Sequence, residues 1–255
     1  MALLRDAELA GAFDRAAGTY DRMTSASPGY HRHLRRSARR LALPGLGAGW
    51  SVLDLGCGTG ASTAALLRAA PLASVTGVDA SVGMLARARS KAWPGRVTFV
   101  HAPVEGMTGA GVTGPYDAVF AAYLFRNVTD PDAVLGRVRD VLRPGGRLAV
   151  HEYALSGRAV DRALWSAVMA AVVLPWGRSH GDGALYRHLW RSVLDFDTAD
   201  AFARRLRRAG FTGVRVLPQP GWQTGITHTF VATRPEGAGR SVRTVGRPDH
   251  TSGPG

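Results

Sequence analysis

One stretch constrains this chain more than any other: Ser51-Val52-Leu53-Asp54-Leu55-Gly56-Cys57-Gly58-Thr59-Gly60, an apolar strand that carries one acid and runs straight into a glycine turn. Val and Leu residues bounded by glycines suit a buried parallel strand, and Ala61 to Ala70 has the composition of a helix. The unit is strand, turn, helix. Gly56, Gly58 and Gly60 allow positive φ and a close backbone approach to a ligand, and the helix N-terminus beyond them presents free N–H groups.

Two nucleotide-type ligands compete for such a turn. Gly56, Gly58 and Ala61 formally satisfy the dinucleotide pattern G-x-G-x-x-G/A. A pyrophosphate, however, wants a positive helix end with no carboxylate nearby, and Asp54 puts an anion just before the turn. S-adenosyl-L-methionine, with its ammonium and sulfonium, would welcome that anion. Asp79 ends a second apolar strand, Ser74 to Val78, where a carboxylate can take both ribose hydroxyls. The pattern therefore predicts an S-adenosyl-L-methionine site built from Asp54, Gly56, Cys57, Gly58, Gly60, Asp79 and Ala80. Cys57 serves as a small turn residue, since no base stands beside it in sequence to make it a nucleophile.

The rest of the chain alternates strand and helix, which predicts an α/β, Rossmann-like, doubly wound and mostly parallel sheet. Strands are expected at Val52–Leu55, Ser74–Val78, Val97–Val100, Tyr116–Ala121 and Arg147–Glu152, with helices at Ala61–Ala70 and Val82–Ala92. Asp130 caps a further helix that Pro131 opens and Pro144-Gly145-Gly146 ends. Thr198–Ala209 is helical, and Val214–Leu217 with Ile226–Ala232 form an antiparallel C-terminal hairpin that completes seven strands. Before the sheet, helices are expected over Glu8–Ala17 and Tyr30–Leu41. An apolar segment, Ala163 to Trp176, is too short to span a bilayer and reads as a core or interfacial helix.

With 255 residues, 45% of them apolar, one domain over 1–235 is expected, with 1–45 lying over the site and 157–195 as a helical insertion on the substrate side. The stretch 236–255, poor in apolar residues, reads as a disordered tail. A single cysteine and no His/Cys cluster predict no disulfide and no metal site. The start lacks the apolar core of a signal peptide, so a cytoplasmic protein is expected. Net charge is +13, from 32 basic residues of which only Lys91 is lysine. The clusters His31–Arg40 and Arg204–Arg208 fit solvated helix faces, attraction to an anionic membrane, or nucleic acid, the last disfavoured for want of any aromatic-basic interleaving.

Segments outside the turn carry a resemblance. Ala12-Phe13-Asp14 with Tyr20-Asp21-Arg22-Met23, Gly29-Tyr30-His31-Arg32, and above all Phe125-Arg126-Asn127-Val128-Thr129-Asp130 look like the ubiquinone/menaquinone biosynthesis C-methyltransferases. Glu152-Tyr153 and Tyr186-Arg187-His188-Leu189 also fit, so the likeness covers roughly residues 10 to 234. It implies the class I methyltransferase fold, a lipophilic aromatic or quinol substrate, Met84, Val104 and Tyr123 as further cofactor residues, and catalytic roles at Arg126, Asn127, Tyr20 and His228. It is also compatible with peripheral membrane contact and a homodimer. Pro103 stands where many members place an aspartate for the adenine amine, which leaves the Val104 N–H or Glu105 for that task. A secondary-metabolite acceptor and a nonenzymatic, RNA-directed binding protein are the rival readings.

Methyl transfer from sulfonium to an aromatic carbon needs in-line alignment and an electron-rich ring, which a phenol supplies once ionised. Arg126 stays protonated and would steady the phenolate; Asn127 would orient that oxygen or a water, and Tyr20 would close the pocket. By residue type His228, His151 and His31 are candidate bases.

Overall fold

The computed structural model describes residue 4 and residues 6–27, 29–179 and 183–237. Most of the tail expected over 236–255 lies outside them. Seven strands form one sheet: β1 (Ser51–Leu55), β2 (Ser74–Asp79), β3 (Val97–His101), β4 (Tyr116–Ala122), β5 (Leu142–Tyr153), β6 (Thr212–Pro218) and β7 (Thr227–Thr233). Their order is β3-β2-β1-β4-β5-β7-β6, parallel from β3 to β5, with β7 antiparallel to both β5 and β6.

Alternation along the strands explains why both faces are covered. Leu53, Leu55, Val119, Ala121, Leu148 and Val150 enter one apolar core, and Val52, Ala118, Phe120 and Ala149 enter the other. The helices are α1 (Asp6–Ala26), α2 (Tyr30–Arg39), α3 (Ala61–Ala69), α4 (Val82–Arg89), α5 (Pro131–Val141), α6 (Ala159–Val168), α7 (Leu174–Ser179), α8 (Gly183–Asp195) and α9 (Ala199–Arg208), of which α5 and α9 pack into the first core and α2 and α3 into the second. Side-chain caps start three of them: Ser81 Oγ accepts from Met84 N, Asp130 Oδ1 from Ala133 N, and Thr198 Oγ1 from Ala201 N.

Three elements differ from the sequence expectation. First, α1 runs to Ala26 rather than stopping near Ala17: Gly18 lies inside the helix, which packs along α4, and a single glycine costs a helix only about 1 kcal/mol. Second, Pro144-Gly145-Gly146 does not terminate α5, which ends at Val141; these residues lie inside a longer β5. Third, the apolar segment belongs to a helix running from α6 into α7 through a π turn, Met169–Val173, directly ahead of Pro175. Proline cannot donate to the carbonyl four residues back, and the wider turn absorbs the loss.

Candidate active site

Chain order reverses between β1 and β4, and ligands of open α/β sheets bind beyond the carboxyl ends of strands at such a point. A cleft of about 930 Å³ lies there. It is lined by the turn after β1 (Gly56, Cys57, Gly58, Thr59), the end of β2 (Asp79, Ala80, Ser81), Pro103, Val104 and Glu105, the end of β4 (Ala122, Tyr123, Leu124), and Arg126 and Asn127. Helices α1 and α2 contribute Phe13, Asp14, Tyr20 and Tyr30, and α4 contributes Met84.

The turn is held from two sides. Asp79 Oδ2 accepts from Gly58 N (2.8 Å) and Oδ1 from Ser81 N (2.9 Å), so the carboxylate is fixed with lone pairs to spare. Burial raises its pKa, and the two N–H donors partly offset this. From α1, Asp14 accepts from Ser81 Oγ (2.5 Å) and Gly83 N (2.8 Å), while Asp21 accepts from Thr59 Oγ1 (2.5 Å) and pairs with Lys91 (2.9 Å). These two acids stand one heptad apart on α1, a spacing visible in the sequence once the helix is extended through Gly18.

Two expected cofactor residues stand elsewhere. Asp54 does not line the cleft: it is fully buried, and its Oδ2 accepts from Ser62 Oγ (2.8 Å) and Thr63 Oγ1 (2.6 Å) in the first turn of α3. Burial pushes its carboxyl up to about 7, and its Oδ1 has no partner. Asp54 is thus a prop beneath the turn rather than a free anion facing the cofactor. Gly60 also lies behind the cleft; at φ 89° a Cβ there would stand 2.7 Å from Trp93. At Gly58, by contrast, φ is 54° and a Cβ would meet nothing within 4 Å. The backbone there is bare toward the cavity.

Opposite the turn stands an aromatic and cationic wall. Tyr123, at the end of β4, takes φ 58°, an uncommon backbone for a tyrosine, which turns its ring inward. Its ring stacks on Tyr30 (5.6 Å between centroids) and Tyr153 (4.7 Å), and the Arg126 guanidinium lies 5.4 Å from its centre. Arg126, 9% exposed, pairs at 2.5 Å with fully buried Glu152. Burial works against the Arg126 charge, but Glu152 outweighs it and keeps the guanidinium protonated. Burial raises the pKa of Tyr20, with Arg126 opposing, so Tyr20 is a protonated donor at neutral pH.

A buried hydrogen-bond chain leads from this wall to α2. Arg40 Nη1 and Gln219 Nε2 donate to Thr229 Oγ1 (2.7 and 3.0 Å), and Gln219 Nε2 donates to Ser37 Oγ (2.9 Å). With its acceptor positions taken, Thr229 donates to Ser37 (2.6 Å), and Ser37 to His151 Nδ1 (2.9 Å). The His151 proton therefore sits on Nε2 and points at Tyr123 Oη, 2.9 Å away. Burial lowers the His151 pKa to about 3, so the ring is neutral.

The remaining expected catalytic residues divide. Asn127 lines the cleft, but both ends of its amide are engaged: Nδ2 donates to Tyr123 O (2.9 Å), and His188 Nε2 donates to Oδ1 (3.0 Å). It ties α8 to the wall rather than presenting a free amide. His228 does not reach the cleft; it is buried on β7 with Nδ1 donating to Ala154 O (2.9 Å), and burial lowers its pKa. His31 is exposed on α2 and does not line the cleft. None of the described residues of 157–195 lines it either; α8 reaches its walls through Asn127 and through Leu185, which packs on Leu9. Among the described residues no group of His, Cys, Asp and Glu could hold a metal. Cys57 lines the cleft with its thiol pushed well up by burial, as suits a turn residue.

The seven-stranded order with its reversed β7 is that of the class I methyltransferase fold, and membership of a methyltransferase family makes the protein an S-adenosyl-L-methionine-dependent methyltransferase. The structure superposes on the plantazolicin methyltransferase BpumL in complex with SAH with a TM-score of 0.62 at 13% identity, covering 89% of this chain and 95% of that one. A putative methyltransferase chain in a complex with the Haloferax volcanii Trm112 activator gives 0.61 at 18% identity, covering 88% and 98%. Sequence goes further than fold. Residues 1–232 match the model of the ubiE/COQ5 methyltransferase family, and the chain belongs to that family. It is 36% identical over 207 residues to the ubiquinone/menaquinone biosynthesis C-methyltransferase UbiE of Syntrophotalea carbinolica, covering 80% of this chain and 85% of the relative. The demethylmenaquinone methyltransferase of Mycolicibacterium paratuberculosis is 33% identical over 230 residues, covering 89% and 94%.

Proposed function

We propose that this enzyme methylates a ring carbon of a demethylmenaquinol-like prenylated quinol. The observation that carries the reading is the placement of Arg126 among Tyr20, Tyr30 and Tyr123 in one cleft with the bare Gly58 backbone and Asp79. Relatives named for ubiquinone and menaquinone biosynthesis support the acceptor class.

The residues present fit the cofactor. Asp79 is fixed with acceptor capacity left for two ribose hydroxyls, Gly58 admits a close approach, and Met84 and Val104 supply apolar walls. When bound, S-adenosyl-L-methionine supplies an electrophilic methyl group. Arg126 lowers the pKa of a quinol hydroxyl held beside it and steadies the phenolate that activates the ring. Tyr20 donates to the same oxygen, and the stacked rings of Tyr30 and Tyr123 offer a flat surface for the acceptor. We take 1–235 as one domain with its first 45 residues closing the site. A prenyl tail partitions into a bilayer, so the reaction belongs at the cytoplasmic surface of a membrane.

The test is methyl transfer from labelled S-adenosyl-L-methionine to reduced demethylmenaquinone analogues, with cofactor binding measured by calorimetry. Transfer should vanish in Asp79→Ala and Arg126→Ala, with cofactor affinity lost in Asp79→Ala alone. Cofactor binding without quinol methylation would redirect the search to secondary-metabolite acceptors.

A further inference from the structure

The helix from Ala159 to Arg178 runs 20 residues; its most apolar 18-residue window has a mean hydropathy of 1.3, and only 17% of that window is buried. An apolar helix in a folded domain ordinarily hides its apolar side. This one hides a single stripe. Trp165, Met169, Leu174 and Gly177 face the protein, spaced by four, five and three residues, and the five-residue step falls on the π turn. That turn keeps the buried stripe in phase, and with it the opposite one. On the far side Val160 (55% exposed), Leu164 (37%), Val172 (62%) and Trp176 (42%) stand in solvent.

Charge frames this stripe. Arg158 and Arg162 are exposed at one end and Arg178 at the other. The helix carries one acid, Asp161, which is half-buried and accepts from Ser156 Oγ. Its position in the fold is equally specific. Gly177 lets α7 lie against Tyr186 of α8, and Leu185 of α8 packs on Leu9, Ala12 and Ala16 of α1, the helix that supplies Tyr20 to the cleft.

We infer that the exposed face of α6 and α7 is a membrane-docking surface that lies flat in the headgroup region of an anionic bilayer. By length and composition alone the helix could cross a membrane, but its buried stripe is committed to the protein, which leaves an in-plane orientation. The arginines at both ends reach phosphates while the aliphatic side chains enter the acyl boundary, and an exposed indole suits that interface. A second copy of the chain is a poorer occupant. Two such helices face to face would set arginine ends against arginine ends in either orientation.

The surface deepens the quinol reading and rests on it for its purpose, but vesicle binding is measured apart from methyl transfer. Full-length protein is floated with vesicles of phosphatidylcholine alone and of phosphatidylcholine mixed with phosphatidylglycerol. Apparent affinity should rise roughly a hundredfold on the anionic vesicles from the three arginines, and fall with salt. Leu164→Glu with Val172→Glu should abolish flotation, while circular dichroism, cofactor binding and transfer to a short-tailed, water-soluble acceptor stay unchanged. Failure to float with anionic vesicles, unchanged flotation of the double variant, or a dimer in sedimentation that the double variant dissolves would each overturn the inference. Flotation without any quinol methylation would leave the surface standing and remove the acceptor.

Discussion

Tyr123 Oη lies 2.9 Å from His151 Nε2, where the hydrogen-bond chain from Arg40 meets the cleft. Since the chain fixes the His151 proton on Nε2, the imidazole donates and the tyrosine keeps its own proton. Tyr123→Phe leaves that N–H buried with no acceptor, at a cost of about 1–3 kcal/mol. Adding His151→Leu removes the stranded donor, so the double variant should lose less than the sum of the singles. Urea denaturation of the four proteins in this cycle checks it, and strict additivity would contradict the assigned tautomer.

Asp54 makes stability depend on pH in the direction opposite to most acids. Its carboxyl is pushed up to about 7 in the folded chain, so between about pH 4 and 7 the folded state holds a proton that the unfolded state has released. Stability attributable to Asp54 therefore falls as pH rises through that window, by roughly 4 kcal/mol in all. His151, held down to about 3, works the other way: its contribution is present above pH 6.5 and is lost as pH falls toward 3. Asp54→Asn cancels only the first effect. The Tm of the variant minus that of the wild type should grow between pH 5 and 8, as scanning calorimetry would read; a flat difference would place Asp54 outside this account.

The glycine turn and the strand-helix alternation were legible because both are local: a turn needs its glycines in sequence, and a strand buried on both faces announces itself as an apolar run. Asp79, Arg126, Asn127 and Tyr20 could be set at one site because they lie at strand ends or in motifs. What the sequence could not supply was direction. Asp54 and Gly60 sit within the turn, yet one points under α3 and the other against Trp93. His228 has the right chemistry on the right strand, but its ring nitrogen is spent on the Ala154 carbonyl. Tyr30, Ser37 and Glu152 matter through contacts with residues far away in the chain, which no periodicity records. The extension of α1 was hidden by Gly18, which reads as a helix stop but is absorbed within the helix.

The Arg126–Glu152 pair separates stability from catalysis. Breaking a buried pair strands a charge, so Glu152→Gln should cost about 3–5 kcal/mol. Arg126→Met with Glu152→Gln leaves no buried charge, and the glutamine Oε1 can still accept from Tyr153 N. The double variant should recover much of the lost stability yet transfer no methyl group. Denaturation midpoints and labelled methyl transfer on the same preparations give both readings, and restored transfer in the double variant would remove Arg126 from the chemistry.

Two glycines of one turn should fail in different ways. Both hold positive φ, so an alanine at either strains the backbone by about 1–2 kcal/mol. At Gly60 the new methyl also collides with the Trp93 ring, behind the cleft, so Gly60→Ala should unfold at markedly lower denaturant with little change in cofactor affinity once folded. At Gly58 the methyl meets open space in the wall of the cleft proposed for the cofactor. Gly58→Ala should therefore lose only the strain energy in stability but weaken S-adenosyl-L-methionine binding at least tenfold, a loss of about 1.4 kcal/mol. Calorimetric titration beside urea denaturation distinguishes the two, and equal affinity losses would mean that Gly60 faces the ligand after all.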